Sequence, residues 1–561
     1  MFRLPRHPPA DGLFSYLDDA AICLIFEAIA REGELNDLRR MQDLVSLCVT
    51  CRRLRAVAQS EMARRLVWPI FNSSEVVASD SRSHPDFGTF LGGVAFGCAT
   101  HIRSVNLVHT IAVELARASA ATLTELTVYE IGSALDTEVA YILGGMDAVL
   151  DCALRLPALR KLELSVLNGG FDRPPSGITC PHLEHLNIRE VVGSTNILAG
   201  NSFPRLRSIV LRGQRNDTAV EMIQACSGTI EELALVDIAG RASDTTDRLG
   251  AAIRGAKNLR ALSLCYPNIA SMDFGPGGVP RNLESLSIDV VRSQVVRINF
   301  RGLLESGCPL KNLSVVGTVA NGRVIAKISE FRRLESLCQD LGPPGFDPGA
   351  TLHKNAEIAA ALTKFGQDAE AQPLSSLELR HSAINPHFVL AGPRFAKLHT
   401  LKFVEYWGPP AWEFPPALAE SLRVFVCELT TCPIAAALYG CRNLETLCQG
   451  IRAMAVLRDI DLSKVVASPI HVTLIAPYGD WLSMPLDLLR TPFGKRMQTL
   501  DIRHLDAGHA QAMRAAGDVV KCCPLVHTIV IGMRESPSTI CGNHERYRSP
   551  RGSRPVEIRL V

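Results

Sequence analysis

Seventeen cysteines and fifteen histidines are the residues of this chain most capable of chemistry, and their spacing decides what chemistry that is. A zinc site needs either two closely spaced ligand pairs or a helical pattern such as H-E-x-x-H. The histidines show no such spacing. Cys48 and Cys51 form one C-x-x-C without a second pair, inside a stretch of helical periodicity where both fall on one face, so they read as packing. Other cysteines recur in a single setting: Cys180-Pro181, Cys308-Pro309 and Cys523-Pro524, like Phe203-Pro204, stand just ahead of an apolar position, while Cys226 and Cys441 end segments nearby. A small apolar thiol repeated at one inward place is a packing choice. No G-x-S-x-G elbow is present, and Gly275-Pro276-Gly277-Gly278 runs into Pro280 instead of a helix start, so it cradles no phosphate. The expectation is a chain without catalytic residues, metal or cofactor.

The elements that position these cysteines are themselves periodic. The spacing of apolar residues at places one, four and six in Leu123-Thr-Glu-Leu-Thr-Val128 returns from Leu159, Leu183, Leu206, Ile230, Leu259, Leu283 and Leu310, and again from Leu374, Leu398, Met497 and Val526. Most neighbouring copies start roughly 23 to 29 residues apart, within the ~20–29 residue period of leucine-rich repeats. Places four and six alternate as in a strand, so both side chains share one face. One strand cannot bury that face; stacked strands can, and the intervening residues must return as helix or 3₁₀ turn, as the spacing predicts for 217–225 and 247–255. The fold expected over 101–533 is therefore an α/β leucine-rich-repeat solenoid, a horseshoe. Two intervals break the period: Leu334 to Leu374 and Leu457 to Met497 are long, whereas Leu444 and Leu457 stand so close that one of them need not open a strand. The asparagine that commonly follows such strands is missing, its place taken by residues such as Leu167, Val191 and Gln214, so irregular turns are expected.

Ahead of the repeats the grain changes. After a flexible start at 1–12, Leu17, Ile22, Ile25, Phe26 and Ile29 recur at helical spacing behind the acids Asp18 and Asp19. Leu44, Leu47, Cys51 and Leu54 form a second stripe, continued by Val57, Ala58, Met62 and Leu66. A small all-α domain over 13–70 follows, joined to the repeats by 71–100. So few helical residues bury little on their own, which calls for a covering partner.

The stretch from Leu17 to Ile29 and the Asp43–Ala58 run with its Cys51-Arg52-Arg53-Leu54-Arg55 core resemble the F-box, although Asp18 stands where that family has proline. The cysteine-marked repeats are likewise similar to those of F-box proteins with leucine-rich repeats. The resemblance implies docking of the helical domain on a Skp-type adaptor of a cullin-RING ubiquitin ligase, through Leu17, Ile22, Ile25, Leu44, Leu47 and Leu54. It also implies recruitment of an unknown protein substrate by the repeats. The alternative is a repeat scaffold that does not bind the adaptor.

The residues between the apolar strand places face outward, and Lys161, Glu163, Asn187, Arg189, Arg212, Glu378, Arg380 and Lys402 are among them. Their signs are mixed. With 59 Lys and Arg against 57 Asp and Glu, no basic surplus points to nucleic acid or an anionic membrane. Arg189, Arg212, Arg380 and Lys402 are candidate substrate contacts, joined by Tyr406, Trp407 and Trp412, whose aromatic cluster has the composition of an interface hot spot. No apolar run has the eighteen residues a membrane span requires, and the N-terminus lacks a signal-peptide core. A cytoplasmic or nuclear location is expected. Arg546, Arg548, Arg551 and Arg554 lie among Ser, Gly and Pro, so the basic tail 534–561 is expected to be disordered.

Overall fold

The computed structural model describes residues 65–67, 101–105, 117, 120–129, 146–166, 176–190, 196–238, 246–265, 271–273, 280–289, 297–299, 307–316, 328, 330–340, 348–380, 386–404, 413–427, 434–450, 457, 460–475, 486–505, 509–533, 544–547 and 556–560. They fall in two compact units, Met1–Ile269 and Ala270–Val561.

In the first unit, β1 (Arg65–Val67), β2 (His101–Val105), β3 (Glu125–Tyr129), β4 (Lys161–Val166), β5 (His185–Glu190), β6 (Ser208–Arg212), β7 (Glu232–Val236) and β8 (Ala261–Cys265) pair in chain order, every pair parallel. The register brings equivalent places together: Leu126, Leu162, Leu186, Ile209, Leu233 and Leu262 form one buried ladder, and Val128, Leu164, Ile188, Leu211, Leu235 and Leu264 a second. The helices α1 (Met146–Leu154), α2 (Asn216–Ala225) and α3 (Thr246–Gly255) make the return crossings that parallel strands require. In α2, Ala219, Val220, Met222 and Ile223 are buried at helical spacing, and Asp217 in its first turn complements the helix dipole.

The second unit repeats the plan. Parallel strands β10 (Ser285–Asp289), β12 (Asn312–Val316), β13 (Ser336–Asp340), β14 (Ser376–Arg380), β15 (Thr400–Val404), β16 (Val424–Cys427), β17 (Thr446–Gly450), β18 (His471–Ile475), β19 (Thr499–Leu505) and β20 (Thr528–Met533) pair in sequence. Two short strands, β9 (Ser271–Asp273) and β11 (Arg297–Asn299), pair separately. The returns include α4 (Pro348–Gly366), α5 (Pro386–Val389), α6 (Pro416–Ser421), α7 (Ile434–Gly440), α8 (Leu486–Arg490), α9 (Pro492–Lys495) and α10 (His509–Cys522). Stacked parallel strands with short helical returns are the architecture of a leucine-rich-repeat solenoid.

Several expectations need correction. Leu66 does not extend the helical stripe of 13–70; it lies in β1, paired with β2, so the strand stack begins well before residue 101. A strand of three residues is too short a run to show a period of two. The tail is not without structure: β21 (His544–Tyr547) pairs antiparallel with β22 (Val556–Leu560), which adds to β20 with Ile558 beside Ile529 and Leu560 beside Ile531. Averaged composition hid the alternation of Val556, Ile558 and Leu560. Leu457 opens no strand. The strand of that repeat is β18, whose first place is held by the buried Pro469 instead of leucine. In β16 the apolar places are Phe425 and Cys427, which a leucine pattern passes over.

The turns before the strands are closed by side-chain donors of several kinds. The Cys180 thiol donates to the Leu154 carbonyl at 2.9 Å and the Cys308 thiol to that of Leu283 at 2.9 Å. Ser421 Oγ does the same to Leu398 at 2.9 Å, Asn443 Nδ2 to Glu420 at 2.8 Å and Asn258 Nδ2 to Gly228 at 2.7 Å. Each of these five bonds ties a turn to the one before it.

Candidate functional site

Because places four and six are buried, places three, five and seven of each strand form the opposite, open face. In the first unit the last outward residues of β5 and β6 are Arg189 and Arg212, which are direct register partners. Both are exposed, and among the described residues neither guanidinium has an acidic partner. Strand spacing sets their Cα atoms about 4.8 Å apart. Gly213, at φ +68°, turns the chain immediately after Arg212, and its N–H bonds the Val236 carbonyl at 2.9 Å. Only a residue without Cβ adopts that conformation freely, so the strand ends with Arg212 at the rim of the face.

Two acids adjoin this pair in the chain, Glu190 after Arg189 and the exposed Asp237 after Val236, the register partner of Arg212. Ser165 on β4 is buried, while Val210, Ala234 and Val236 on β6 and β7 are half-buried. Glu163 is engaged elsewhere, its Oε1 accepting from Asn187 Nδ2 at 2.8 Å.

In the second unit the candidate contacts Arg380 and Lys402 lie on adjacent strands but not side by side. Register pairs Glu378 with Lys402, and Arg380 with Val404. Glu378 Oε1 binds Arg380 Nε at 2.7 Å. Burial works against the charge on Arg380, yet the hydrogen bond and attraction from Glu378 outweigh it and raise its pKa. Beside them, burial pushes the Cys338 thiol up to about 11, keeping it protonated. This cluster satisfies its own charges; the Arg189–Arg212 pair does not.

Tyr406, Trp407 and Trp412 lie outside the described residues, as do Leu17, Ile22, Ile25, Leu44, Leu47 and Leu54. A shallow depression of about 430 Å³ sits at the opposite strand ends of the first unit, between Glu184, Arg205, Arg207 and Glu231. There Arg207 faces Glu231 at 3.7 Å, so its charges are balanced. Among the described residues, no three His, Cys, Asp or Glu side chains are grouped to hold a metal, and no helix is long and apolar enough to cross a membrane.

One residue stands outside the sequence-based candidates. Arg394, 1% exposed, donates through Nε to Gln372 O at 3.0 Å and through Nη2 to Phe331 O at 2.7 Å, with its guanidinium carbon 3.7 Å above the centre of the Phe365 ring. Burial lowers its pKa to about 10 against the pull of Asp368, so it stays charged at neutral pH. The hint in the sequence is a lone cation between Pro393 and Phe395.

No protein-family model and no curated protein matches the chain. Among solved structures it is similar to the protein in the crystal structure of a TLR13–ssRNA13 complex, with a TM-score of 0.35 and 14% identity. The match covers 79% of this chain and 56% of that one, so the chain spans little more than half the length of that protein. The RNA is a component of that complex and says nothing of a ligand here.

Proposed function

We propose that this protein is a protein-binding scaffold without catalytic residues of its own, and that it serves as the substrate-recruiting arm of a Skp-cullin-F-box ubiquitin ligase. The observation that supports the first part is the open strand face of each unit, where outward side chains are fixed on a hydrogen-bonded sheet in front of a buried leucine ladder. A long open surface suits a polypeptide better than a small substrate that must be shielded from water. The second part rests on the F-box resemblance of the N-terminal segment. In this reading Leu17, Ile22, Ile25, Leu44, Leu47 and Leu54 dock on the adaptor, and the scaffold acts by proximity.

A pull-down of the full chain with purified Skp adaptor tests the ligase reading. Each fully buried leucine is worth about 1.5–3 kcal/mol, so the double change Leu44→Glu, Leu47→Glu is expected to weaken adaptor binding by about 100-fold or more. If the unaltered chain fails to bind, or the double variant binds equally well, the ligase reading falls and a scaffold independent of the adaptor stands.

A further inference from the structure

The second place of the repeat, just ahead of each strand, carries a pattern that burial does not require. Over eight consecutive repeats it reads Arg160, Glu184, Arg207, Glu231, Arg260, Glu284, Lys311 and Glu335, alternating in sign throughout. The alternation lapses at Ser375 and His399 and returns at Arg423 and Glu445. Charged residues make up 21% of the chain, so an unbroken run of eight at one place does not follow from composition. Solubility calls for charge at the surface, but not for a change of sign at every step.

In each unit the backbone holds this row in chain order. In the first, the N–H of Glu184 donates to Arg160 O at 2.8 Å, that of Arg207 to Glu184 O at 2.9 Å, and those of Glu231 and Arg260 to Arg207 O and Glu231 O at 2.7 Å. In the second, Lys311 donates to Glu284 O and Glu335 to Lys311 O, both at 2.8 Å. Consecutive members therefore stand one strand spacing apart, about 4.8 Å, and every second member about 10 Å. Glu184 and Glu231 are half-buried, and the exposed Arg160 and Arg207 approach them to 3.9 and 3.7 Å. Lys311 meets Glu284 at 2.9 Å and Arg423 meets Glu445 at 3.1 Å. Pairs this open to solvent each add little to stability. Their order carries more: a repeat set against its chain neighbour meets the opposite charge, whereas one set against the next repeat but one meets its own.

We propose that the second place is a stacking code, which favours chain neighbours side by side and penalises a skipped repeat. The apolar ladders cannot make this distinction. Leu162, Leu186 and Ile209 are nearly interchangeable, so burial alone rewards β4 against β6 as well as β4 against β5. Like charges opposite each other on adjacent strands are destabilising, and a skipped repeat would bring Arg160 beside Arg207 or Glu184 beside Glu231. The code concerns how the strand face is assembled, and it holds whether or not the chain docks on an adaptor.

Thermal melting of the full chain, in low salt and in about 1 M NaCl, tests the code. Arg207→Glu sets an acid between Glu184 and Glu231, whereas Arg207→Gln only removes the cation. In low salt the first should melt on the order of 1–3 °C below the second, and the difference should vanish in high salt, where screening suppresses exposed charge pairs but not packing. A second arm removes residues 183–205, one whole repeat, so that Arg160 falls next to Arg207. In that background Arg160→Glu restores the alternation and should raise the melting temperature; in the full chain it faces Glu184 and should lower it. Opposite signs in the two backgrounds are the expected result. The code is overturned if Arg207→Glu and Arg207→Gln melt alike, if their difference survives high salt, or if Arg160→Glu acts with the same sign in both backgrounds. Should the shortened chain fail to fold with either residue at 160, the full-chain comparison at Arg207 in the two salt conditions decides alone.

Discussion

The regular turn ahead of β5 and the enlarged one ahead of β14 meet the same need in different ways. Between Leu159 and Leu183 the gap is short, and the Cys180 thiol reaches the Leu154 carbonyl of the preceding return at 2.9 Å. Between Leu334 and Leu374 the described residues include the 19-residue helix α4 ahead of β14. Here a longer donor reaches back: Arg394, in the turn ahead of β15, bonds carbonyls that precede both β13 and β14 while stacking on Phe365 at the end of α4. A buried carbonyl left without a donor costs about 1–3 kcal/mol, so thiol and guanidinium answer the same need at the two places.

The comparison is broken most severely at Arg394. Arg394→Ala removes the donors to Phe331 and Gln372 and leaves a cavity beside Phe365, so a loss of about 3–5 kcal/mol is expected in denaturant unfolding. A loss below about 1 kcal/mol would make the guanidinium a passenger. Next comes Gly392→Ala, whose new Cβ would overlap the backbone of Gly366 where α4 ends. Because backbone cannot swing aside as a side chain does, about 1–3 kcal/mol is expected, against almost nothing at Gly228, which has open space.

The thiol turns give a smaller effect with its own pH signature. Cys308→Ala should cost about 1 kcal/mol, and Cys308→Ser, which keeps a donor, should recover part of it. Burial pushes Cys180 and Cys308 up to about 11 and Cys226, Cys441 and Cys523 up to about 12, from 9.0. Above pH 9 the unfolded chain releases protons that the folded one keeps, so stability is fully present below pH 9 and falls as pH rises toward 11–12. Equilibrium unfolding between pH 8 and 11 reads this slope, and a flat profile would contradict it. Alkylation of these five thiols in the folded chain at pH 8 should be far slower than in denaturant.

Much of the fold and part of the site could be read from the sequence. Leucines at places one, four and six with a regular interval determine a stack of parallel strands, because only stacking buries such a narrow apolar face. The same arithmetic places Arg189 and Arg212 at the equivalent seventh place of successive repeats, six residues beyond Leu183 and Leu206. Where an apolar place is filled by another residue type the reading fails, as at Pro469 ahead of β18 and Phe425 in β16, since periodicity counts residue types and not volumes. It also fails in the tail, where alternation over five residues is visible only once β20 offers an open edge to pair with.

What the sequence could not decide is which charges are satisfied. Glu378 and Arg380 are two residues apart on one strand and close on each other at 2.7 Å, whereas Arg189 and Arg212 are distant in sequence and meet through register. Arg394 looks like a surface cation between Pro393 and Phe395, yet it is among the most buried side chains of its unit. Pattern along the chain fixes which face a side chain takes. Only the packing of one repeat on the next decides whether a carbonyl or an aromatic ring stands within reach of Arg394, because the carbonyls it binds lie 22 and 63 residues away and electrostatic contacts act over a few ångströms.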